Sequence, residues 1–119
     1  MPMDDLPQTV VEMPEFATFA NSHLSDDERM AVIDFVSRNP LAGDLLQGTG
    51  GLRKFRWAVG GKGKSGGVRI IHYFHGKDLP VFLVTGFAKS KMENISPAAR
   101  SMYRKLLPLI VDAYKGLHR

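Results

Sequence analysis

Apolar residues recur with helical spacing between Ser25 and Asn39, so this segment is the clearest predicted helix. Ser25 and Glu28 stand three positions apart at its start, the spacing of a capping box in which each side chain bonds the other residue's backbone N–H. The apolar face consists of Ala31, Val32, Phe35 and Val36. The helix should end before Asn39-Pro40, because the residue that precedes a proline disfavours helical backbone.

Two further helices are predicted from proline and capping positions. Pro14–Ala20 should form a brief helix, with proline in the first turn where its missing N–H costs little. Ser96 should cap a final helix that has Pro97 at its first position. Its inward face is predicted to comprise Ala98, Met102, Leu106, Leu109, Ile110 and Ala113. Pro108 should kink or split this helix, because it cannot donate to the Arg104 carbonyl.

Alternating and β-branched runs predict the strands. Leu52–Trp57 alternates between a cationic and a mainly apolar side, and Val68–His75 and Leu79–Phe87 are rich in β-branched and aromatic residues. These three runs predict consecutive antiparallel strands, and Thr9–Val11 predicts a short first strand. The stretch from Leu41 to Gly51 is interpreted as a loop. The pattern therefore predicts an α+β fold in a single domain, residues 1–119.

Composition excludes several classes of site. The 119 residues include no cysteine, which rules out disulfides, thiolate metal ligands and a cysteine nucleophile. The four histidines have no metal-ligand spacing, so neither a metal nor another cofactor is expected. The N-terminal residues lack the pattern of a secretory signal, and no run approaches the roughly 18 apolar residues that span a bilayer. We therefore expect a cytoplasmic protein with no membrane partner.

Charge is strongly segregated along the chain. The first 44 residues carry nine acids and two bases, whereas the remaining residues carry fourteen bases and three acids. Between positions 45 and 77 there is no acid, and the bases are Arg53, Lys54, Arg56, Lys62, Lys64, Arg69 and Lys77. Such a segregated field favours a polyanionic partner. The alternative interpretation is a solvated surface that happens to be basic.

Three of these bases are predicted to share one face of the sheet. Lys54 and Arg56 are two positions apart on a strand and so point the same way. Arg69, near the start of the next strand, could lie across from them if the pairing register permits. Cations gathered on one sheet face repel each other unless an anion compensates them. Packing of long basic side chains on an exposed sheet is the alternative for each residue.

The glycine-rich loop that contains Lys62 and Lys64 is predicted to act as a cationic flap over a polyanion. A phosphate loop of the nucleotide-binding type is disfavoured, because a strand follows this loop and that motif requires a helix. An inert hairpin tip is the alternative. Among the histidines, His72 fits a packed strand position, and His75, which alternates with Tyr73, is the better candidate for catalysis.

The stretch GTGGLRKFRWAVGGKGKSGGVRIIHYF, followed by FAKSKMENIS, resembles the RelE/HigB family of bacterial toxins from type II toxin–antitoxin systems. The resemblance extends from Gly48 to Pro97, and the upstream helix fits it as well. It implies a twisted antiparallel sheet with two N-terminal helices on one side and a C-terminal helix. It also implies cleavage of messenger RNA on the ribosome, and neutralisation by a co-encoded antitoxin, here expected to be of the helix-turn-helix type.

The resemblance also suggests roles for individual residues in cleavage through the RNA 2′-hydroxyl. Lys54 would accept the hydroxyl proton, since neighbouring cations favour its neutral amine, and Arg56 and Arg69 would hold the developing negative charge. Lys89, Lys91 or His75 would protonate the leaving oxygen. The predicted RNA-binding residues are Arg53, Lys62, Lys64, Tyr73 and Lys91. Some RelE proteins carry a C-terminal tyrosine, but residues 90–97 contain no aromatic, so its role is vacant or passes to Tyr73 or His75.

Two other functions remain open from the sequence. One is a toxin of the ParE type, which inhibits DNA gyrase without catalysis, and the other is a non-catalytic RNA-binding regulator. The cationic set favours cleavage over gyrase binding. A charge-retaining exchange such as Lys54→Arg would separate a nuclease from a pure binder, because phosphate attraction depends mostly on charge.

Overall fold

The computed structural model describes residues 6–60, 67–89 and 94–117. In chain order the elements are β1 (Val10–Glu12), α1 (Pro14–His23), α2 (Asp26–Arg38), β2 (Asp44–Leu45), β3 (Arg53–Trp57), β4 (Val68–Phe74), β5 (Val81–Ala88) and α3 (Pro97–Leu117). The strands form one five-stranded sheet in the order β1-β5-β4-β3-β2. The α+β class is confirmed. None of the helices in the described ranges is long and apolar enough to cross a membrane.

The sheet is mixed rather than purely antiparallel. β3, β4 and β5 pair antiparallel as predicted, but β1 pairs parallel with β5, from Val10 opposite Val81 to Glu12 opposite Leu83. β2 adds two residues antiparallel to β3, within the segment that was predicted to be loop. Strands of two or three residues are too short to show a periodic pattern, and the direction of an edge strand depends on where α1 and α2 return the chain.

Helices cover both faces of the sheet, which explains the nearly continuous apolar sequence of β4. On one face, here called the helix-pair face, Ile70 packs with Phe16 of α1 and Val32 of α2. On the other, the α3 face, Ile71 packs with Leu107 of α3. Residues 68–73 of β4 are consequently all buried. β4 therefore forms the fixed centre against which β3 and β5 are aligned.

The capping box of α2 is present, and it also holds the end of the β3 segment. Ser25 Oγ accepts from the Glu28 N–H at 3.1 Å, and the Ser25 N–H donates to Glu28 Oε1 at 2.8 Å. The second carboxylate oxygen of Glu28 accepts from the Gly60 N–H at 2.9 Å. These bonds, that from the Ser25 N–H foremost, lower the pKa of the Glu28 carboxyl. The helix start is thus tied to the connection that follows β3.

The final helix follows the prediction at its start but not in its orientation. Ser96 Oγ accepts from the Ala99 N–H at 3.1 Å, and α3 then runs to Leu117 without a break at Pro108. Its buried residues are Tyr103, Leu107 and Val111, whereas Met102 and Leu109 of the predicted inward face are 48% and 63% exposed. The buried residues stand four positions apart, and Leu106, Ile110 and Tyr114 pack beside them. The helical spacing of the sequence therefore marks this face, and the prediction was wrong in choosing positions displaced from it.

A buried histidine and an arginine together hold the loop that leads into β2. His72 is fully buried, and its Nε2–H donates to the Ala42 carbonyl at 2.9 Å. Arg53 donates to the carbonyls of Leu41 and Gly43, each at 3.2 Å. Burial lowers the pKa of His72 to about 4, so the ring is neutral near pH 7. Three successive loop carbonyls are therefore fixed by two side chains of the sheet.

Replacing Ser25 with alanine should lower the free energy of unfolding by about 1 kcal/mol, because one N–H at the start of α2 loses its acceptor. Urea unfolding followed by circular dichroism measures this change. The matched control is Ser22→Ala, an exposed serine within α1 that should change stability by less than about 0.5 kcal/mol. Equal effects of the two substitutions would show that the capping box contributes little.

Stability should fall as the pH drops from about 6.5 towards 4, because His72 takes up a proton more readily in the unfolded chain than in the fold. Because the pKa of His72 is lower in the folded than in the unfolded chain, the neutral ring contributes fully to stability above the unfolded pKa. This contribution is lost as the pH falls towards the folded pKa. Its size is at most about 3 kcal/mol. Urea midpoints across this range should vary less for His72→Gln than for the wild type.

The control for this measurement is His75→Gln, which removes an exposed histidine and should retain the steeper pH dependence. If His72→Gln and the wild type lose stability in parallel on acidification, protonation of the buried ring is not what weakens the fold.

Candidate nucleic-acid interface

The pairing register gathers three cationic residues on the α3 face. Arg56 lies directly across from Arg69, and Lys54 is two positions from Arg56 on the same side of β3. α3 covers the neighbouring part of this face, where Leu52 and Tyr73 are buried. The cations occupy the part of the face beyond α3. The register that the sequence left open is therefore the one that brings Lys54, Arg56 and Arg69 together.

These residues border a groove with a volume of about 590 Å³, here called the cationic groove. It is lined by Phe35, Ala42, Gly43, Asp44, Lys54, Phe55, Arg56, Trp57, Arg69 and Lys89. Four of these residues are lysines or arginines, and they come from β3, β4 and the residue after β5. The structure thus brings together four of the five residues that were predicted to be catalytic.

The cationic groove crosses the outer edge of β3. β2 pairs only with Arg53 and Lys54, so within the described ranges no strand pairs with the outer side of Phe55–Trp57. Arg56 and Trp57 are consecutive and point to opposite faces of the sheet, yet both line the groove. Where both side chains face the groove, it passes over this edge of the strand. Its lining contains both cationic and aromatic residues.

The four cations differ in how firmly they are held. Arg69 is only 6% exposed, and its neighbour on β5 is the buried Phe87. Lys54 is half-buried, while Arg56 and Lys89 are exposed. A buried arginine has little rotational freedom left to lose when it binds an anion. Arg69 is thus the fixed cation at the base of the groove, and the exposed residues can adjust around a bound group.

Asp44 is the single acid among the residues that line the groove. It pairs with Lys54 across β2 and β3, so the two side chains leave the sheet on the same face. A carboxylate beside an amine provides a second group able to accept a proton. Sequence reasoning missed Asp44 because its position in a presumed loop gave no indication that it would pair with a residue of the cationic face.

Arg53 does not join the other cations. It lies on the helix-pair face of β3, and its guanidinium donates to the carbonyls of Leu41 and Gly43. Arg53 therefore positions the loop, and its contact with RNA stays a prediction that its absence from the groove lining does not support. Arg53 holds the loop that forms one wall of the groove. The Ala42 carbonyl, which lies between those two carbonyls, accepts a hydrogen bond from His72.

Tyr73 and His75 lie apart from the cationic groove. His75 is six residues beyond Arg69 along β4, a separation of about 20 Å for an extended chain. Tyr73 is buried among residues that pack on α3, and its hydroxyl is 3.3 Å from His75 Nδ1. Neither residue lines the groove, so their placement gives no support to roles at a phosphate that Arg69 holds.

The remaining predicted residues, Lys62, Lys64 and Lys91, lie outside the described ranges. Both ends of the lysine-rich loop are nevertheless fixed. Glu28 binds the Gly60 N–H, and the Gly67 carbonyl accepts from the Lys89 N–H at 3.2 Å. Gly67 also packs so closely on the Trp57 carbonyl that a side chain would clash. Gly67, the first described residue after this loop, therefore lies beside Trp57 and Lys89, two residues of the groove.

Other chemistry has little basis in the described residues. Within the described ranges no three histidine, cysteine or acidic side chains are grouped as metal ligands would be. His72, the deepest histidine, uses its Nε2–H for the loop carbonyl and is closed off from solvent. What the groove can do is bind an anion with several fixed and mobile cations, next to groups able to accept or donate protons.

A comparison with protein families gives a match over most of the chain. The family model described as "RelE toxin of RelE / RelB toxin-antitoxin system" matches residues 9–115 of the chain. The match includes every strand of the sheet, α1 and α2, and nearly all of α3. It therefore covers the whole cationic groove as well as the segment that carries the sequence resemblance. The chain belongs to the RelE toxin family.

Proposed function

We propose that this toxin is an endoribonuclease that cleaves messenger RNA on the ribosome and thereby inhibits translation. Membership of the RelE family makes the chain the toxin of a toxin–antitoxin pair, with an antitoxin as its partner. The observation that carries the further step is the convergence of Lys54, Arg56, Arg69 and Lys89 on one groove. Four cations in one groove suit the phosphodiester backbone of RNA.

Cleavage would use the 2′-hydroxyl of the RNA as the nucleophile. Its oxygen attacks the adjacent phosphorus, the bond to the 5′-oxygen of the next nucleotide breaks, and a 2′,3′-cyclic phosphate forms. The hydroxyl proton must leave during the attack, and the 5′-oxygen must gain one. The reaction therefore needs a proton acceptor and a proton donor on either side of a phosphate whose negative charge increases.

The groove offers a candidate for each role. Lys54 is placed to accept the hydroxyl proton, and Asp44, its neighbour across β2 and β3, is the alternative acceptor. Arg69 and Arg56 face each other across two strands and hold the charged phosphate between them. Lys89, at the end of β5, donates to the leaving oxygen. His75 has no part in this scheme because it lies about 20 Å along the strand from Arg69.

The same proposal extends to the cellular setting. A toxin that cuts mRNA on ribosomes acts in the cytoplasm, and we expect its antitoxin to be a helix-turn-helix protein encoded beside it. Inhibition of gyrase is the main competing activity. An increase in gyrase-dependent DNA damage after induction, without new mRNA ends, would favour that activity.

Lys54→Arg should slow RNA cleavage by about 100-fold or more, because an arginine keeps the charge but does not give up its proton near pH 7. Affinity for a 2′-O-methyl RNA, which cannot be cut, should stay within about twofold. Cleavage rates of a purified mRNA fragment on ribosomes measure the first effect, and fluorescence anisotropy measures the second.

The matched control is Lys115→Arg, the same exchange at an exposed position near the end of α3. It should leave both quantities unchanged. The corresponding cellular experiment maps the 5′ ends of mRNA after brief induction of each variant. Wild-type cleavage by Lys54→Arg would remove lysine from the role of base and leave Asp44 as the acceptor. The absence of new mRNA ends with the wild type would contradict the nuclease proposal itself.

A further inference from the structure

The lining of the cationic groove also includes three aromatic residues in mutual contact, Phe35, Phe55 and Trp57, here called the aromatic wall. The ring centroid of Trp57 lies 5.4 Å from that of Phe35 and 6.0 Å from that of Phe55. Phe55 is buried, whereas Phe35 and Trp57 are partly exposed and line the groove. The two phenylalanines hold the indole in place from α2 and from within β3. Trp57 is therefore held by ring contacts at a position where it lines the groove.

The arrangement of this wall matches the two parts of a nucleotide. Arg56 and Trp57 are neighbours on β3, but strand alternation sends one to the phosphate-binding side of the edge and the other to the aromatic side. A nucleotide likewise carries its charged phosphate and its flat base on opposite sides of the sugar. With a phosphate between Arg56 and Arg69, the adjoining base would reach across the open edge of β3 towards Trp57.

We propose that Trp57, supported by Phe35, stacks on a base of the RNA whose phosphate lies between Arg56 and Arg69. This inference rests on the proposed function only in taking RNA as the ligand. Stacking on an aromatic side chain accepts any base, because every base has a π-face. The role of Trp57 is therefore to position the nucleotide, whereas base preference depends on other contacts. An apolar protein segment would suit the wall alone, but the four adjacent cations favour RNA.

Trp57 is the only tryptophan of the chain, so its intrinsic fluorescence reports on this position without a label. A short 2′-O-methyl RNA, which cannot be cut, serves as the probe. A second oligonucleotide of the same length and charge, with abasic sites in place of the bases, serves as its match. We expect the first to quench the fluorescence of Trp57, and the second to bind, by anisotropy of an end label, with little quenching.

Two substitutions test the energetic contribution of the ring. Trp57→Leu keeps an apolar side chain but loses the stacking surface, and it should weaken binding of the base-containing probe about tenfold. Trp57→Phe keeps an aromatic ring and should bind within about threefold of the wild type. With the abasic probe, Trp57→Leu and the wild type should bind alike, which distinguishes a lost stack from a disturbed fold.

The control variant is Phe74→Leu. Phe74 is a half-buried aromatic residue that packs against the same helix-pair core but lies at the far end of β4, outside the groove. It should leave the affinity for both probes unchanged. In cleavage assays, Trp57→Leu should raise KM with a smaller effect on kcat, because stacking holds the nucleotide but does not transfer protons.

The outcomes separate this inference from the nuclease proposal. RNA cleavage by the wild type with equal quenching by both probes, or by neither, overturns the stacking role and leaves the nuclease intact. Base-dependent quenching in a protein that never cuts RNA supports stacking and removes catalysis. If neither probe binds, RNA is not the ligand of the aromatic wall, and the stacking proposal is overturned.

Discussion

The structure sets two arginines directly across from each other on neighbouring strands, and the proposed chemistry depends on that placement. Like charges that face each other on a sheet destabilise it, whereas an apolar or opposite-charge pair would contribute favourably. Arg56 and Arg69 stand opposite each other on the α3 face, with Lys54 two positions away. A phosphate bound between them would attract both guanidinium groups and offset their mutual repulsion. Under the proposed function, the arginine pair therefore favours the binding of an anion.

The core determines where this site lies and what closes it. Burial of β4 on both faces fixes the register of β3, and the register fixes the arginine pair. The loop wall is held by His72, which is fully buried and neutral because burial lowers its pKa to about 4, and by Arg53. Asp44 follows this loop directly. His72 and Arg53 have no part in the proposed chemistry, but they position Asp44 by binding three successive backbone carbonyls of the loop before it.

The sequence predicted best those features that depend on residues close together in the chain. The capping box of α2, the three consecutive antiparallel strands and the clustering of basic residues are local features, and the structure contains them. The parallel pairing of β1 depends on contacts between distant segments. The buried side of α3 is a different case, because Tyr103, Leu107 and Val111 recur with helical spacing and the prediction chose positions next to them.

The same limit applies to the site. Charge counting identified Lys54, Arg56, Arg69 and Lys89, but it treated Arg53 as equivalent to them, although strand alternation sends it to the opposite face. It also overlooked Asp44 and Trp57, whose place in the groove depends on β2 ending after two residues. A strand boundary of that kind is set by loop geometry and is not visible as a pattern of residue types.

The short β2 also affects how the toxin avoids unwanted pairing of other chains with the edge of its sheet. An uncovered strand edge is a surface on which other chains can add a strand, and proteins commonly protect such edges with charged side chains. Here Arg56 stands on the open edge of β3, and Lys54 stands at the point where β2 ends. These cations discourage edge-to-edge pairing, and under the proposed function the same cations would meet the phosphates of RNA. Among the residues that the structure describes, the part of β3 without a pairing strand is therefore protected by charge, and the proposed access of a base to Trp57 needs no unprotected edge.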